Sequence, residues 1–95
     1  MPEMHVVVRW PDGSQHRCYS PSRVVEEFFD AGASYPVAEF LARSRTALAI
    51  ASERVQRKYG HPCRLAAASL ADIERAAARF ASRRDACVTV EALER

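Results

Sequence analysis

The sequence predicts an α+β fold: an N-terminal β-hairpin, three helices of which one is long, and a C-terminal strand, all in one domain over residues 1–95. Three observations carry this prediction. Residues 4–10 alternate in hydropathy with the period of a strand, and residues 36–60 repeat apolar side chains at helical spacing. Residues 86–93, "ACVTVEAL", form a second β-prone segment, so we expect a three-stranded antiparallel sheet.

The hairpin is predicted from its turn, the tripeptide "PDG" that follows Trp10. Proline presets the first corner, aspartate tolerates the second, and glycine accepts a positive φ. A three-residue loop of this kind pairs Val8 with His16 and Val6 with Cys18. The side chains of His16 and Cys18 then lie on the same apolar face as Trp10, a predicted core anchor. A two-residue loop would exchange the faces, so the register stays open at this point.

Two helices follow. Residues 20–32, "SPSRVVEEFFDAG", predict a short helix that Ser20 caps and Gly32 ends, followed by a loop, "GASY". The long helix begins at Pro36 and ends at Gly60, with basic residues in its last turn. Its apolar stripe predicts one buried face.

The third helix is predicted to begin at Ser69 at the latest, because Ser69 and Asp72 have the spacing of a capping box. The upstream "CRLAAA" is compatible with an earlier start. The C-terminal strand is placed beside the first strand, because the other edge of that strand belongs to the hairpin partner. The predicted order is therefore β-β-α-α-α-β, with the helices on one face of the sheet.

Composition excludes several functional classes. The net charge is +2, from 14 basic and 12 acidic residues, which is too balanced to predict a nucleic-acid-binding face. With 3 glycines, each assigned to a turn or a helix end, no phosphate-binding loop remains, so no nucleotide cofactor is expected. No apolar run has the length of a membrane span.

The three cysteines are Cys18, Cys63 and Cys87. An odd number without a C-x-x-C pair argues against a disulfide framework, and no signal peptide is visible in "MPEMHVVVRW". We therefore expect free thiols in a reducing cytoplasm.

Two histidine–cysteine pairs are the candidate reactive groups: His16 with Cys18, and His61 with Cys63. Zinc sites need three or four convergent ligands, and single-spacer pairs are poor chelates, so no metal is predicted. A cysteine nucleophile with a histidine base is the sharper enzyme hypothesis. The pattern nevertheless favours packed, structural side chains, since no cleft-forming glycine loop lies near either cysteine.

A candidate docking patch lies on the side of the long helix away from its apolar stripe. Its residues are Arg43, Ile50, Arg54 and Arg57. Arginines around an exposed aliphatic side chain are typical of protein interfaces, although such a face is also an ordinary solvated surface.

The outer face of the sheet is a second candidate surface. It is predicted to carry His5, Val7, Arg9, Arg17, Tyr19 and Thr89. Arginine and tyrosine can stack on nucleic-acid bases, but the paired aromatics of RNA-recognition strands are missing. Self-association through this face or through the long helix fits at least as well.

The stretches "RWPDGS", "CYSPS" and "SRTALAIASERV" give the chain a resemblance to a small bacterial family of nitrogen-starvation-response proteins, over nearly its whole length. Members of that family are encoded near nitrilase, radical-SAM, acetyltransferase and flavoprotein genes. The resemblance implies a cytoplasmic role in nitrogen scavenging from nitriles or cyanide. It brings no catalytic residue onto this sequence.

Three hypotheses follow. The first is a non-enzymatic accessory or interaction protein whose partner belongs to a nitrogen-assimilation pathway. The second is a small enzyme or ligand-binding component that uses the histidine–cysteine pairs. The third, least favoured by the charge balance, is a nucleic-acid-binding regulator. A homodimer is compatible with the first two.

Overall fold

The computed structural model describes residues 3–83 and 85–95. In chain order the elements are β1 (Met4–Arg9), β2 (Gln15–Ser20), a 3-10 helix (Arg23–Glu27), β3 (Ser34–Pro36), α1 (Val37–Tyr59), α2 (Arg64–Ala78) and β4 (Cys87–Glu94). The strands form one antiparallel sheet with the order β2-β1-β4-β3. Both α-helices pack against the sheet. None of the described helices is long and apolar enough to cross a membrane.

The hairpin register is the one predicted for the three-residue loop. The Trp10 N–H donates to the Ser14 carbonyl at 2.9 Å, and β1 pairs with β2 so that Val8 faces His16 and Val6 faces Cys18. This register puts the side chains of His16 and Cys18 on the face that the helices cover, which confirms the prediction from the turn.

The predicted three-stranded sheet is wrong, because the sheet has four strands. The additional strand is β3, which pairs with β4 through Ser34 opposite Thr89 and Tyr35 opposite Val88, where the sequence predicted a loop. Three residues are too few to show an alternating pattern. The proline at the end of β3 is tolerated because this strand lies at the sheet edge.

The prediction of three helices is also wrong, since the structure has two α-helices and one short 3-10 helix. The 3-10 helix occupies five residues, and its cap is Ser22, whose hydroxyl accepts from the Val24 N–H. Ser20, the predicted cap, is buried and donates to the Ser22 carbonyl instead. Adjacent β-branched valines, Val24 and Val25, lower helix propensity in so short a segment.

The long helix is confirmed: α1 ends at Gly60, which adopts the left-handed conformation with φ of 81°. The next helix begins before the predicted limit of Ser69. Its N-terminal cap is Cys63, whose sulfur accepts from the Ala66 N–H at 3.4 Å. The capping-box interpretation of Ser69 is therefore wrong, and the alternative that "CRLAAA" is helical is correct.

The core is centred on Trp10, which is 3% exposed. Its ring lies edge-on to Phe40 with centroids 5.5 Å apart and stacks on Phe80 at 5.9 Å. Phe29 packs on Phe40 at 5.2 Å and brings the segment after the 3-10 helix into the same cluster. The core anchor predicted at the end of β1 therefore joins the sheet to α1 and to the segment that follows α2.

Candidate functional site

The histidine and cysteine of the hairpin lie under α2. Cys18 is 4% exposed, and burial, together with the negative charge of Asp72, raises the pKa of its thiol to about 12. His16 is half-buried, with its ring centroid 6.4 Å from that of Trp10. A thiol that is protonated at neutral pH is a poor nucleophile, so this pair is arranged for packing.

A shallow groove of about 190 Å³ runs between β2 and α2 beside these residues. It is lined in part by His16, Tyr19, Leu65, Ser69 and Asp72. The Ser69 hydroxyl is buried without a hydrogen-bond partner, and Asp72 pairs with an arginine of its own helix. Within the described residues, no hydrogen bond joins the imidazole of His16 to Ser69 or Asp72, and the three do not form a catalytic relay.

The second histidine–cysteine pair lies in the connector between α1 and α2. Cys63 is half-buried, and its N–H donates to the Ser52 hydroxyl at 3.5 Å while its sulfur caps α2. His61 is exposed, and the open groove beside it is shared with Leu65. Cys63 therefore fixes the start of α2, a role that requires only an acceptor atom at this position.

The two pairs are not combined into one centre. All three cysteines are free thiols. Among residues 3–83 and 85–95, no three histidine, cysteine or acidic side chains converge in the geometry of a metal site.

Two arginines of the predicted docking patch are engaged within the chain. Arg43 donates to the Phe28 carbonyl at 2.8 Å, and its guanidinium carbon lies 4.9 Å from the centre of the Tyr35 ring. Arg54 donates to the Ser22 hydroxyl at 3.1 Å. Both side chains therefore hold the segment around the 3-10 helix against α1.

The other two residues of that patch differ in exposure. Ile50 is half-buried, whereas the Arg57 side chain is 78% exposed and pairs with Glu53 one turn earlier. The four residues lie along one side of α1, and the Arg57 side chain is more exposed than that of Arg43, which is 40% exposed.

The outer face of the sheet carries a polar network. Glu91 accepts from Gln15 at 2.9 Å and from Arg9 at 3.0 Å, while Arg17 pairs with Glu94 at 2.9 Å. The hydrogen bond from Gln15, followed by that from Arg9, lowers the pKa of the Glu91 carboxyl. The arginines predicted on this face thus already have carboxylate partners from β4.

One apolar groove was not anticipated from the sequence. It has a volume of about 560 Å³ and lies between the first half of α1 and the end of α2. Its floor is formed mainly by Val37, Ala38, Leu41, Ala77, Ala78 and Phe80. The run "AAARFA" at 76–81 was the available signal, since small side chains beside an aromatic ring leave space between two helices.

Charged side chains border this groove. Arg45 pairs with Glu74 across the two helices at 2.9 Å. The guanidinium of Arg83 lies 5.7 Å from the Phe80 ring centre. Among the described residues no carboxylate pairs with Arg83, so the rim of the groove carries one uncompensated positive charge.

The fold and these surfaces define an α+β protein whose open antiparallel sheet is covered on one face by two helices. Residues 5–93 match the family described as nitrogen starvation-induced protein NitG, and the chain belongs to this family. The match confirms the resemblance predicted from the sequence. No curated protein and no solved structure matches the chain.

Proposed function

We propose that the chain is a non-enzymatic accessory protein that binds a partner protein of a nitrogen-assimilation pathway. Membership in a nitrogen starvation-induced family supports the physiological setting. The narrower assignment, to nitrogen obtained from nitriles or cyanide, rests on the gene neighbourhoods that the sequence resemblance implies. Three free thiols favour a reducing, cytoplasmic compartment.

The observation that carries this proposal is the apolar groove between α1 and α2. Concave apolar surfaces with a few charged groups at the rim are typical of binding sites. Leu41 is only half-buried at the floor, and Ala38 is exposed on the adjacent turn, so an incoming side chain gains apolar contact without moving the helices.

The charges at the rim favour one kind of partner segment. Arg83 supplies a positive charge beside Phe80, whereas Arg45 and Glu74 neutralise each other. A partner segment with a bulky apolar side chain next to a carboxylate complements this arrangement, because the side chain fills the groove and the carboxylate pairs with the guanidinium. We assign the groove to an acidic, apolar segment of a partner protein.

The groove is a better binding surface than the predicted arginine patch on α1. Binding there would compete with the hydrogen bonds that Arg43 and Arg54 make to the segment around the 3-10 helix. A partner can reach Arg83 and the apolar floor without breaking a hydrogen bond or an ion pair of the described side chains. The two surfaces can be separated by single substitutions.

The test uses the full-length chain as bait in nitrogen-starved cells. Ala38→Glu and Arg83→Glu place negative charge at the groove, and we expect both to lose a partner that the unaltered chain captures. Arg57→Glu changes an exposed charge on the predicted patch and serves as the matched control. The captured protein is then purified and titrated against each variant, with a loss of about tenfold or more in affinity expected for the groove variants.

A genetic readout complements the binding assay. In cells that lack the gene, the Arg57→Glu form restores growth under nitrogen starvation, whereas the Ala38→Glu form does not. If both groove variants bind the partner and restore growth as well as the unaltered chain does, the groove is not the binding site. Loss with Arg57→Glu alone would assign the partner to the patch on α1.

A further inference from the structure

β2 is an edge strand, with a neighbour on one side only. The Trp10–Ser14 hydrogen bond sets the phase of the hairpin, so that the backbone groups of His16 and Cys18 are directed at β1. The N–H and carbonyl groups of Arg17 and Tyr19 then point away from the sheet. Within the described residues, no backbone hydrogen bond from outside the sheet reaches them.

The edge strand β2 lacks two protections that sheet edges commonly have. It contains no proline and no bulge across its six residues, Gln15–Ser20, whereas the opposite edge, β3, has three residues and ends in Pro36. Natural sheets usually blunt a long edge by such devices, because unpaired backbone groups form a template for another strand. An edge left open on β2 alone marks it as a pairing surface.

α2, the helix beside this edge, also exposes apolar side chains to solvent. Leu65 is 61% exposed, although it is a large apolar side chain at the border of the groove between β2 and α2. Ala68 lies one turn further along and is exposed as well. Arg64 and Asp72 are exposed toward the two ends of the same strip. A small residue at the centre permits a second helix to approach closely, with opposite charges on either side.

We infer that β2 pairs with β2 of a second copy of this chain, antiparallel about a two-fold axis, to give one continuous eight-stranded sheet. A second copy is the fitting occupant because an antiparallel edge is complementary to itself under two-fold symmetry. This pairing gives the outward N–H and carbonyl groups of Arg17 and Tyr19 hydrogen-bond partners in both copies.

Charge complementarity supports the same occupant. Phe80, which follows α2, stacks on Trp10, and Trp10 pairs with Ser14 just before β2. The end of α2 therefore lies beside the start of β2, and the two elements run in opposite directions. Two copies of α2 are therefore antiparallel beside the axis. With Ala68 near the axis, Arg64 of each copy lies alongside Asp72 of the other, where it joins the carboxylate that Arg75 of the same helix already contacts.

The dimer is independent of the partner-binding groove, which lies at the other end of α2. Sedimentation velocity of the full chain over a range of micromolar concentrations is expected to show a species of twice the chain mass. Arg17→Pro removes an N–H that only the second copy uses, so the monomer keeps its own ladder while dimerisation is lost. Arg17→Thr, which retains the N–H, is the matched control and stays dimeric.

Reversal of two charges on α2 tests the dimer independently, even if the proline variant disturbs the hairpin. Arg64→Glu and Asp72→Arg are each expected to raise the dimer dissociation constant about tenfold, and the double variant to restore it. A chain that is monomeric at every concentration overturns the proposal. A dimer indifferent to both single substitutions and to Arg17→Pro overturns it equally, since another surface must then form the contact.

Discussion

The indole ring of Trp10 stacks on the phenyl ring of Phe80, with their planes 10° apart and their centroids 5.9 Å apart. Trp10 precedes the hairpin turn and Phe80 follows α2, so this contact joins the hairpin to the C-terminal end of α2. Trp10 is the single tryptophan of the chain, and its emission therefore reports directly on this contact.

Truncation of Phe80 tests the importance of the stack. Phe80→Ala is expected to lower the free energy of unfolding by about 3 to 5 kcal/mol, because it leaves a cavity against Trp10 and loses an aromatic pair. Urea denaturation followed by tryptophan emission measures the change. Tyr59→Ala is the control, because Tyr59 lies in the last turn of α1 and is 53% exposed. This substitution should change the free energy of unfolding by less than about 0.5 kcal/mol. Equal effects of the two substitutions would contradict this account of the core.

The burial of Cys18 predicts the order in which the thiols react. Cys87 is exposed, Cys63 is half-buried, and Cys18 is buried. With iodoacetamide at mild alkaline pH, we expect Cys87 to be alkylated first and Cys18 only after unfolding, as read by mass spectrometry of peptides. Rapid native-state alkylation of Cys18 would instead favour the hypothesis of a catalytic thiol.

The same thiol predicts how stability depends on pH. Its pKa rises from an ordinary 9.0 to about 12 on folding, because burial and the charge of Asp72 disfavour the thiolate. The unfolded chain therefore releases this proton first, and the stabilising contribution is complete below pH 9 and lost progressively between pH 9 and about 12. The slope from this group is about 1.4 kcal/mol per pH unit.

Two variants isolate that slope from other titrations. The pKa of Tyr19 is also raised, chiefly by burial, and contributes with the same sign. Cys18→Ala should remove the thiol contribution, whereas Cys87→Ala, at an exposed position, should keep it. Parallel pH profiles for all three proteins would show that Cys18 titrates alike in the folded and unfolded chain.

Ser44 offers an opportunity for stabilisation. Its hydroxyl is buried in the middle of α1 without a hydrogen-bond partner, and it borders a small apolar pocket of about 10 Å³. Ser44→Ala should raise the free energy of unfolding by about 1 kcal/mol or more, because an unsatisfied polar group is removed and alanine favours the helix. Thr46→Ala, two residues along on the exposed side, measures the gain in helix propensity together with the loss of the exposed hydrogen bond that Thr46 donates to the Ala42 carbonyl. If Ser44→Ala gains no more than this control, the hydroxyl is satisfied in solution.

Local chemistry explains which elements the sequence predicts correctly. The turn "PDG" determines the hairpin register because each of its residues suits one backbone conformation, and Gly13 adopts a φ of 88°. Long-range periodicity identifies α1 because 23 residues give the apolar stripe many repeats. Both signals are contained within a single continuous segment.

Elements that depend on distant partners are not visible in the same way. β3 is a strand only because β4 lies beside it, and its three residues have no pattern of their own. The roles of Arg43 and Arg54 depend on acceptors 15 and 32 residues earlier in the chain. The apolar groove likewise arises where two helices diverge, a relationship that no window of sequence contains.

β4 has a further consequence, for the synthesis of the protein. It is the last strand along the chain, yet it lies inside the sheet between β1 and β3. Until it is released from the ribosome, the hairpin and β3 share no hydrogen-bonded neighbour, and both present bare edges to other nascent chains. Completion of the sheet therefore waits until β4 has left the ribosome, and a ribosome stalled before residue 87 holds an aggregation-prone intermediate.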